Sequence, residues 1–299
     1  MSLNIQAKFK AIFGVDADPA LKALAIDELE QSPDVRPDLF SIESMDRDIT
    51  QWRKLSTLGQ MEQVGEGELA PKDNFTQLGG KTFTAVKYAK SIGITDEMID
   101  DARFDMIEGM VRSLGRSAFD TQQLAAMNVF NNAFTTELCF DGAAIIASHS
   151  TPIGLQSNQI ASAADISLAG LKEGERHFRK LQDDRGKRLV MQPSVVLVSE
   201  DFRHDALELI NSPFKPGSAN NDINSLGSYK VISSPYLSDL DAWFMLADPM
   251  KTGLRIYNRK PLDTRMHEDV LAGVLYYKVE YRQAIGCHEW RGIWGSTGV

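Results

Sequence analysis

The sequence predicts an α+β chain in which one very long helix separates an extended N-terminal half from a strand-rich C-terminal half. Two observations carry this. Apolar or small residues recur three or four apart through residues 94–133, at Ile99, Ala102, Met106, Met110, Leu114, Ala118, Ala125 and Val129, with Asp100, Asp101, Arg103, Asp105, Glu108, Arg112, Arg116 and Asp120 between them. That is the period of a helix with one buried stripe. A β-prone run, Thr82-Phe83-Thr84-Ala85-Val86-Lys87-Tyr88, precedes it, and strand-length runs follow at residues 194–198, 229–232, 243–246, 254–257 and 275–281.

Residues 1–50 hold a short amphipathic piece around Leu21 to Leu29 and the run Ser32-Pro33-Asp34-Val35-Arg36-Pro37. Each proline biases its predecessor away from helix, so this is an arm laid on something else. Between Trp52 and Gly93 five glycines, Gly59, Gly65, Gly67, Gly79 and Gly80, stand among polar residues ahead of the β-prone run, and a long hairpin is expected, with a loose surface loop as the alternative the pattern equally allows. An isolated two-stranded ribbon is marginal in water and its edges invite pairing, so it makes physical sense if another subunit covers it. Leu69, Phe75 and Leu78 are then its expected inter-subunit contacts.

Thr95, with Asp96 and Glu97 behind it, is placed to cap the long helix. Unbroken, that helix is roughly 55 to 60 Å long. Gly109 and Gly115 inside it imply a bend or a close neighbour. Ser167 caps a second helix with Leu168, Leu171, Phe178 and Leu181 on one face, ended by Asp183-Asp184-Arg185-Gly186. Ser199 is expected to open a short helix through Ile210, followed by a turn-rich loop. In the last strand Leu275, Tyr277, Val279 and Tyr281 alternate with Tyr276, Lys278 and Glu280, as one buried face requires.

At 299 residues and 43% hydrophobic the chain can bury a large core. Its balance of 32 basic against 41 acidic residues, net −9, argues against a stoichiometric nucleic-acid binder while leaving room for a local basic patch. Cys139 and Cys287 make no disulfide framework or zinc motif and read as buried small hydrophobes. No signal-peptide h-region or membrane span is present, as expected of a soluble, intracellular product with no membrane partner.

The residues point to no chemistry. The five histidines lack metal-ligand spacing, the glycine pairs lack a phosphate-loop context, and no cofactor is implied. Asp141, His149 and Ser150 have the residue types of a hydrolase triad, but Ser150 lacks the G-x-S-x-G elbow that presents a nucleophile, and the segment reads as a polar loop. Trp243, Trp290 and Trp294 read as core.

Arm, hairpin, overlong helix, small α/β region and returning strand are also the plan of tailed-phage major capsid proteins with the HK97 fold. The chain resembles the Mu-like major head subunit family through Phe140-Asp141-Gly142 leading to Ser148-His149-Ser150, Ser157-Asn158-Gln159, Asp183-Asp184-Arg185-Gly186, the block at 217–224, Ser234-Pro235-Tyr236-Leu237, the block at 243–249 and the ending at 289–295. The resemblance implies an N-arm at 1–50, an E-loop at 51–92, a P domain at 93–191 with its spine helix at about 94–133, an A domain at 192–248 and returning P-domain strands at 249–299. It also implies no catalytic, cofactor or metal residue. The expected partners are other copies, in hexamers and pentamers of an icosahedral lattice in the virion, assembled in the bacterial cytoplasm. A separate scaffolding protein, a head maturation protease, a portal and double-stranded DNA contacted without sequence preference complete the set. An encapsulin-like protein nanocompartment with a protein cargo is the alternative the same fold allows, and a serine hydrolase is the enzyme-class alternative.

Overall fold

The computed structural model describes residues 9–10, 17–31, 33–215 and 222–299. The parts of the arm at 1–8 and 11–16, Ser32, and the 216–221 part of the turn-rich loop lie outside these residues.

Among the described residues these elements follow one another: α1 (Ala17–Gln31), α2 (Arg36–Leu39), β1 (Ser41–Ser44), β2 (Ile49–Leu55), β3 (Gln77–Thr84), β4 (Val86–Thr95), α3 (Asp96–Asp100), α4 (Phe104–Asn131), β5 (Ser148–Thr151), β6 (Gly154–Ser157), α5 (Leu168–Lys180), β7 (Pro193–Val198), α6 (Arg203–Asn211), β8 (Lys230–Ser233), β9 (Trp243–Ala247), β10 (Leu254–Asp269), β11 (Val274–Cys287) and β12 (Ile293–Ser296). They form two four-stranded sheets, ordered β1-β10-β11-β4 and β12-β9-β7-β8, and two ribbons, β2-β3 and β5-β6. β1 runs parallel to β10 and β7 parallel to β8; the other pairings are antiparallel.

The long helix is α4, and it is shorter than expected. β4 runs on through Thr95, whose side chain accepts the Met98 N–H as an N-cap, but the helix it caps is only the five-residue α3. Ala102 then takes φ +50°, its N–H bonding to Ile99 O at 3.0 Å and that of Arg103 to Met98 O at 3.1 Å. This is the Schellman pattern that ends helices, here with alanine where glycine is usual. What remains, 28 residues, is about 42 Å long. The buried stripe holds at Ile99, Leu114 and Val129 and is displaced by one residue at Ile107, Val111, Phe119 and Ala126. Ile107, Val111, Leu114, Phe119, Ala126, Met127, Val129 and Phe130 face inward, and Met106 is exposed.

That helix joins the two sheets. Its first half, with α1, covers Ile94, Leu275, Tyr277 and Val279 of the first sheet. Its second half packs Met127, Val129 and Phe130 on Val195, Leu197, Phe244 and Leu246 of the second. α5 and α6 cover the opposite face of the second sheet, where Leu171, Phe178, Ala206 and Ile210 meet Val196, Val198, Trp243, Met245 and Trp294. α5 is capped by Ser167, which accepts from Gly170 N, while Ser199 caps nothing: its hydroxyl donates to Leu240 O at 2.5 Å and α6 starts at Arg203. The segment 249–299 is shared between the sheets, since β10 and β11 build the first and β12 pairs with β9 in the second.

The arm lies along α4. Arg36 donates to Gln122 Oε1 at 2.6 Å and Asp34 accepts from Gln123 Nε2 at 2.7 Å, so the two glutamines buried in the helix are satisfied from the arm. In β11 the expected alternation gives way at Glu280. It is buried, because Lys278, Lys260 and Lys87 close over its carboxylate at 2.6, 2.8 and 3.0 Å. Hydrogen bonds from Lys260, Lys278 and Lys87 hold that carboxyl far below the usual range.

Candidate functional site

The hairpin expected between Trp52 and Gly93 is a ribbon, β2 against β3, that stops at Thr84, because β4 belongs to the first sheet. Its loop, 56–76, contains no strand and is exposed almost throughout. Ser56 N–H donates to Thr76 O at 2.7 Å across its base, and Asp73 Oδ2 accepts Gly59 N–H at 2.8 Å, so the loop leaves and returns at one point.

The ribbon is strapped to its own subunit. Lys54 pairs with Glu289 at 2.6 Å, Trp52 packs on the His288 ring with centroids 4.0 Å apart, and Lys81 reaches Glu137 at 2.9 Å. Thr57 donates to Asp183 Oδ2 at 2.9 Å, and Arg185 pairs with Asp73 at 3.1 Å. Gly79 passes so near the Phe140 carbonyl that a Cβ there would collide with it. Beyond these straps, at 60–72, no hydrogen bond or ion pair among the described residues holds the loop apart from one local turn at Gly65 to Glu68.

The three expected contact residues separate. Leu69 is 96% exposed and Phe75 62%, while Leu78 is half-buried against the main core of its own chain. Met61 is as exposed as Leu69. A second apolar projection, absent from the sequence reading, is the tip of the β10-β11 hairpin, where Val270 and Leu271 stand clear of the fold. The only local signal for it is Asp269, whose carboxylate accepts the Leu271 and Ala272 N–H groups, ahead of Gly273 at φ +63°.

No catalytic geometry forms around Ser150. His149 Nδ1 donates to Asp141 Oδ2 at 2.7 Å, Nε2 lies 3.3 Å from Ile145 O, and the ring is buried flat on Trp290. On β5 the side chains alternate, so Ser150 points to solvent while His149 points to the core. Burial works to raise the Asp141 carboxyl, but the His149 and Ala143 hydrogen bonds outweigh it and hold it below its usual range. Cys139 and Cys287 are both buried, with sulfurs 3.9 Å apart, and that hydrogen bond together with burial pushes the Cys139 thiol well up. Among the described residues no cluster of His, Cys, Asp and Glu could hold a metal, and no helix is long and apolar enough to cross a membrane.

A family model described as phage capsid protein matches residues 80–296. The chain belongs to the phage capsid protein family. Solved structures agree on the fold of this capsid protein, which is the HK97-like one. It is similar to a structure of Microbacterium phage Oxtober96, at 13% identity and TM-score 0.57, covering 90% of this chain and 93% of that one. It is similar to the bacteriophage JBD30 capsid, at 12% and 0.60, covering 71% and 93%. A virus-like particle from Pyrococcus furiosus is similar at 8% and 0.56, covering 93% and 98%. No curated protein matches the sequence significantly. The capsid protein is thus a structural, major capsid component, and its exposed loop and hairpin tip are the features to explain.

Proposed function

We propose that many copies of this capsid protein close into an icosahedral shell of hexamers and pentamers around double-stranded DNA, with the distal loop of each subunit lying on a neighbour. The observation that carries this reading is the loop itself. Leu69, Met61 and Phe75 are exposed on a segment strapped to the body only at its base, and burying such residues on another copy supplies the ordering energy that the loop lacks alone. Val270 and Leu271 offer a second contact of the same kind.

Within this reading residues 1–50 are the N-arm, the β2-β3 ribbon and its loop the E-loop, α4 the spine of the P domain, and the sheet around β7 and β9 the A domain. Membership of the Mu-like branch, and a separate scaffolding protein, maturation protease and portal, belong to the same proposal. Net −9 suits a wall that holds DNA without binding it tightly.

The test is replacement of residues 60–72 by a short Gly/Ser linker between Gly59 and Asp73, which the Asp73 to Gly59 bond holds together. The expected product has near-normal thermal unfolding and makes no closed shells, even with the scaffolding protein supplied. Closed shells of normal size by electron microscopy, or an unfolded subunit, would overturn the reading. Nuclease-protected duplex DNA inside wild-type particles separates a phage head from a nanocompartment holding protein cargo.

A further inference from the structure

The subunit carries two oppositely charged surfaces that it leaves unpaired. One is the outer face of α5. Leu171 and Phe178 turn inward onto the second sheet, and a Cβ at Gly174 would strike Met245 and Trp294. This orientation sets Lys172, Arg176 and Lys180 in a row on the other side, successive members separated by about 6 Å of helix rise. Arg188 reaches the Lys180 carbonyl at 3.4 Å and extends the row. Among the described residues, none of these four has a carboxylate within ion-pair distance, because the acids nearby are committed. Glu175 holds Arg179 and accepts the Tyr229 O–H, Asp184 holds Arg291, and Asp183 is taken by its own turn and Thr57. Glu173, half-buried at the edge of the row, offsets one charge.

The other surface is the distal loop. Glu62, Glu66, Glu68 and Asp73 stand there against Lys72 alone, four acids less one base, or net −3. Asp73 is spent on Gly59 and Arg185. Glu62, Glu66 and Glu68 are exposed and, among the described residues, meet no cation.

We infer that the acidic tip of one subunit's loop docks on the α5 cation row of a second copy. The inference rests on the shell reading and names the loop's receptor. Copies that each carry −9 repel one another unless unlike patches meet, and these two patches have opposite sign. The apolar parts correspond as well. Met61 and Leu69 flank the glutamates, and Val190, 86% exposed and two residues beyond Arg188, offers an apolar landing beside the cations. Duplex DNA would satisfy the cations but would leave these apolar residues and the three glutamates unserved.

The test is a charge swap in the full chain, scored by closed-shell yield in electron microscopy and by thermal unfolding. Lys172→Glu/Arg176→Glu/Lys180→Glu should unfold normally and lower the yield by about tenfold or more, because a lattice multiplies a pair that is weak by itself. Glu62→Lys/Glu66→Lys/Glu68→Lys should do the same, and the two sets together should restore shells. If the reversed helix set unfolds, Lys172→Gln/Arg176→Gln/Lys180→Gln takes its place and should lower the yield in the same direction. Normal shells from the helix set, normal shells depleted of DNA, or no rescue by the combined sets would each overturn the docking. Normal shells from both charge sets alongside failure of the 60–72 replacement would keep the shell reading and remove only this one.

Discussion

The Ala25 carbonyl and Gly115 touch: a Cβ at Gly115 would stand 2.5 Å from the Ala25 oxygen. This contact seats α1 on the spine helix, and it is why a residue that weakens helices occupies a buried position there.

Gly115→Ala should therefore cost about 1–3 kcal/mol, as overpacking against backbone does. A Cβ at Gly109, six residues earlier on the same helix, would meet nothing within 4 Å among the described residues beyond its own helix. Gly109→Ala should instead stabilise by up to about 1 kcal/mol through helix propensity. Urea unfolding of the pair checks this, and equal signs for the two variants would refute the close approach of α1.

The register of the spine gives a second contrast. Leu114 is buried between α1 and the first sheet, so Leu114→Asp places an unpaired carboxylate in the core and should yield insoluble protein. Met106 and Asp105 are exposed, so Met106→Lys and Asp105→Asn should each stay within about 0.5 kcal/mol of wild type. An insoluble Met106→Lys would restore the stripe expected from sequence.

These contrasts show where the sequence is legible. Ser167, Thr95 and the Asp183 to Gly186 turn can be read because caps and turns are made by residues within four positions of one another. The helix break at Ala102 cannot, because alanine at a left-handed position leaves no mark in the sequence. Without that break the helical count runs through from Thr95, and the stripe, right at Leu114 and Val129, lands one residue early at Met106, Met110, Ala118 and Ala125. The Cys139–Cys287 contact joins residues 148 apart, and the lysines that bury Glu280 come from three strands. Neither is visible to a local pattern. The α5 cation row is local, but the overall acidic charge conceals it. For the hairpin, glycine and polar content marks an exposed loop correctly, while Leu78 lies too near the body for composition to separate it from Leu69 and Phe75.

A third prediction concerns Arg291 and Asp184, both almost completely buried and 3.0 Å apart, with Glu289 as the second partner of Arg291. Arg291→Met leaves the Asp184 carboxylate buried without its cation and should cost about 3–5 kcal/mol, while Asp184→Asn, which leaves Arg291 its Glu289 partner, should cost less. Arg291→Met/Asp184→Leu should lose less than the sum of the two single changes. Because Glu289 also holds Lys54, Arg291→Met disturbs the strap, and limited proteolysis should cut the 56–76 loop faster. An additive double-mutant cycle would mean that the pair is not coupled.

The last prediction is the response to acid. Burial, reinforced by the charges of Arg255 and Lys54, lowers the His288 imidazole to about 3, and burial alone lowers His177 to about 4. Both rings remain neutral in the folded chain at pH values where the unfolded chain, with histidine near 6.5, is already taking up protons. Below pH 6.5 the unfolded state thus binds more protons than the folded one, and stability must fall as pH falls, by up to about 1.4 kcal/mol per pH unit for each histidine. The loss should begin near pH 6.5 and continue to about 4 for His177 and about 3 for His288. Asp141, Asp183 and Asp34, whose carboxyls are lowered, act only below about 4, where their ordinary range begins. Glu280, lowered from an ordinary value of 4.5, begins to act near that pH, so urea unfolding at pH 6.5 and 5.5 isolates the histidines. His288→Gln should flatten the slope by about half and His177→Gln most of the remainder, since glutamine takes up no proton in either state. A slope unchanged in both variants would mean that neither ring stays neutral in the folded chain.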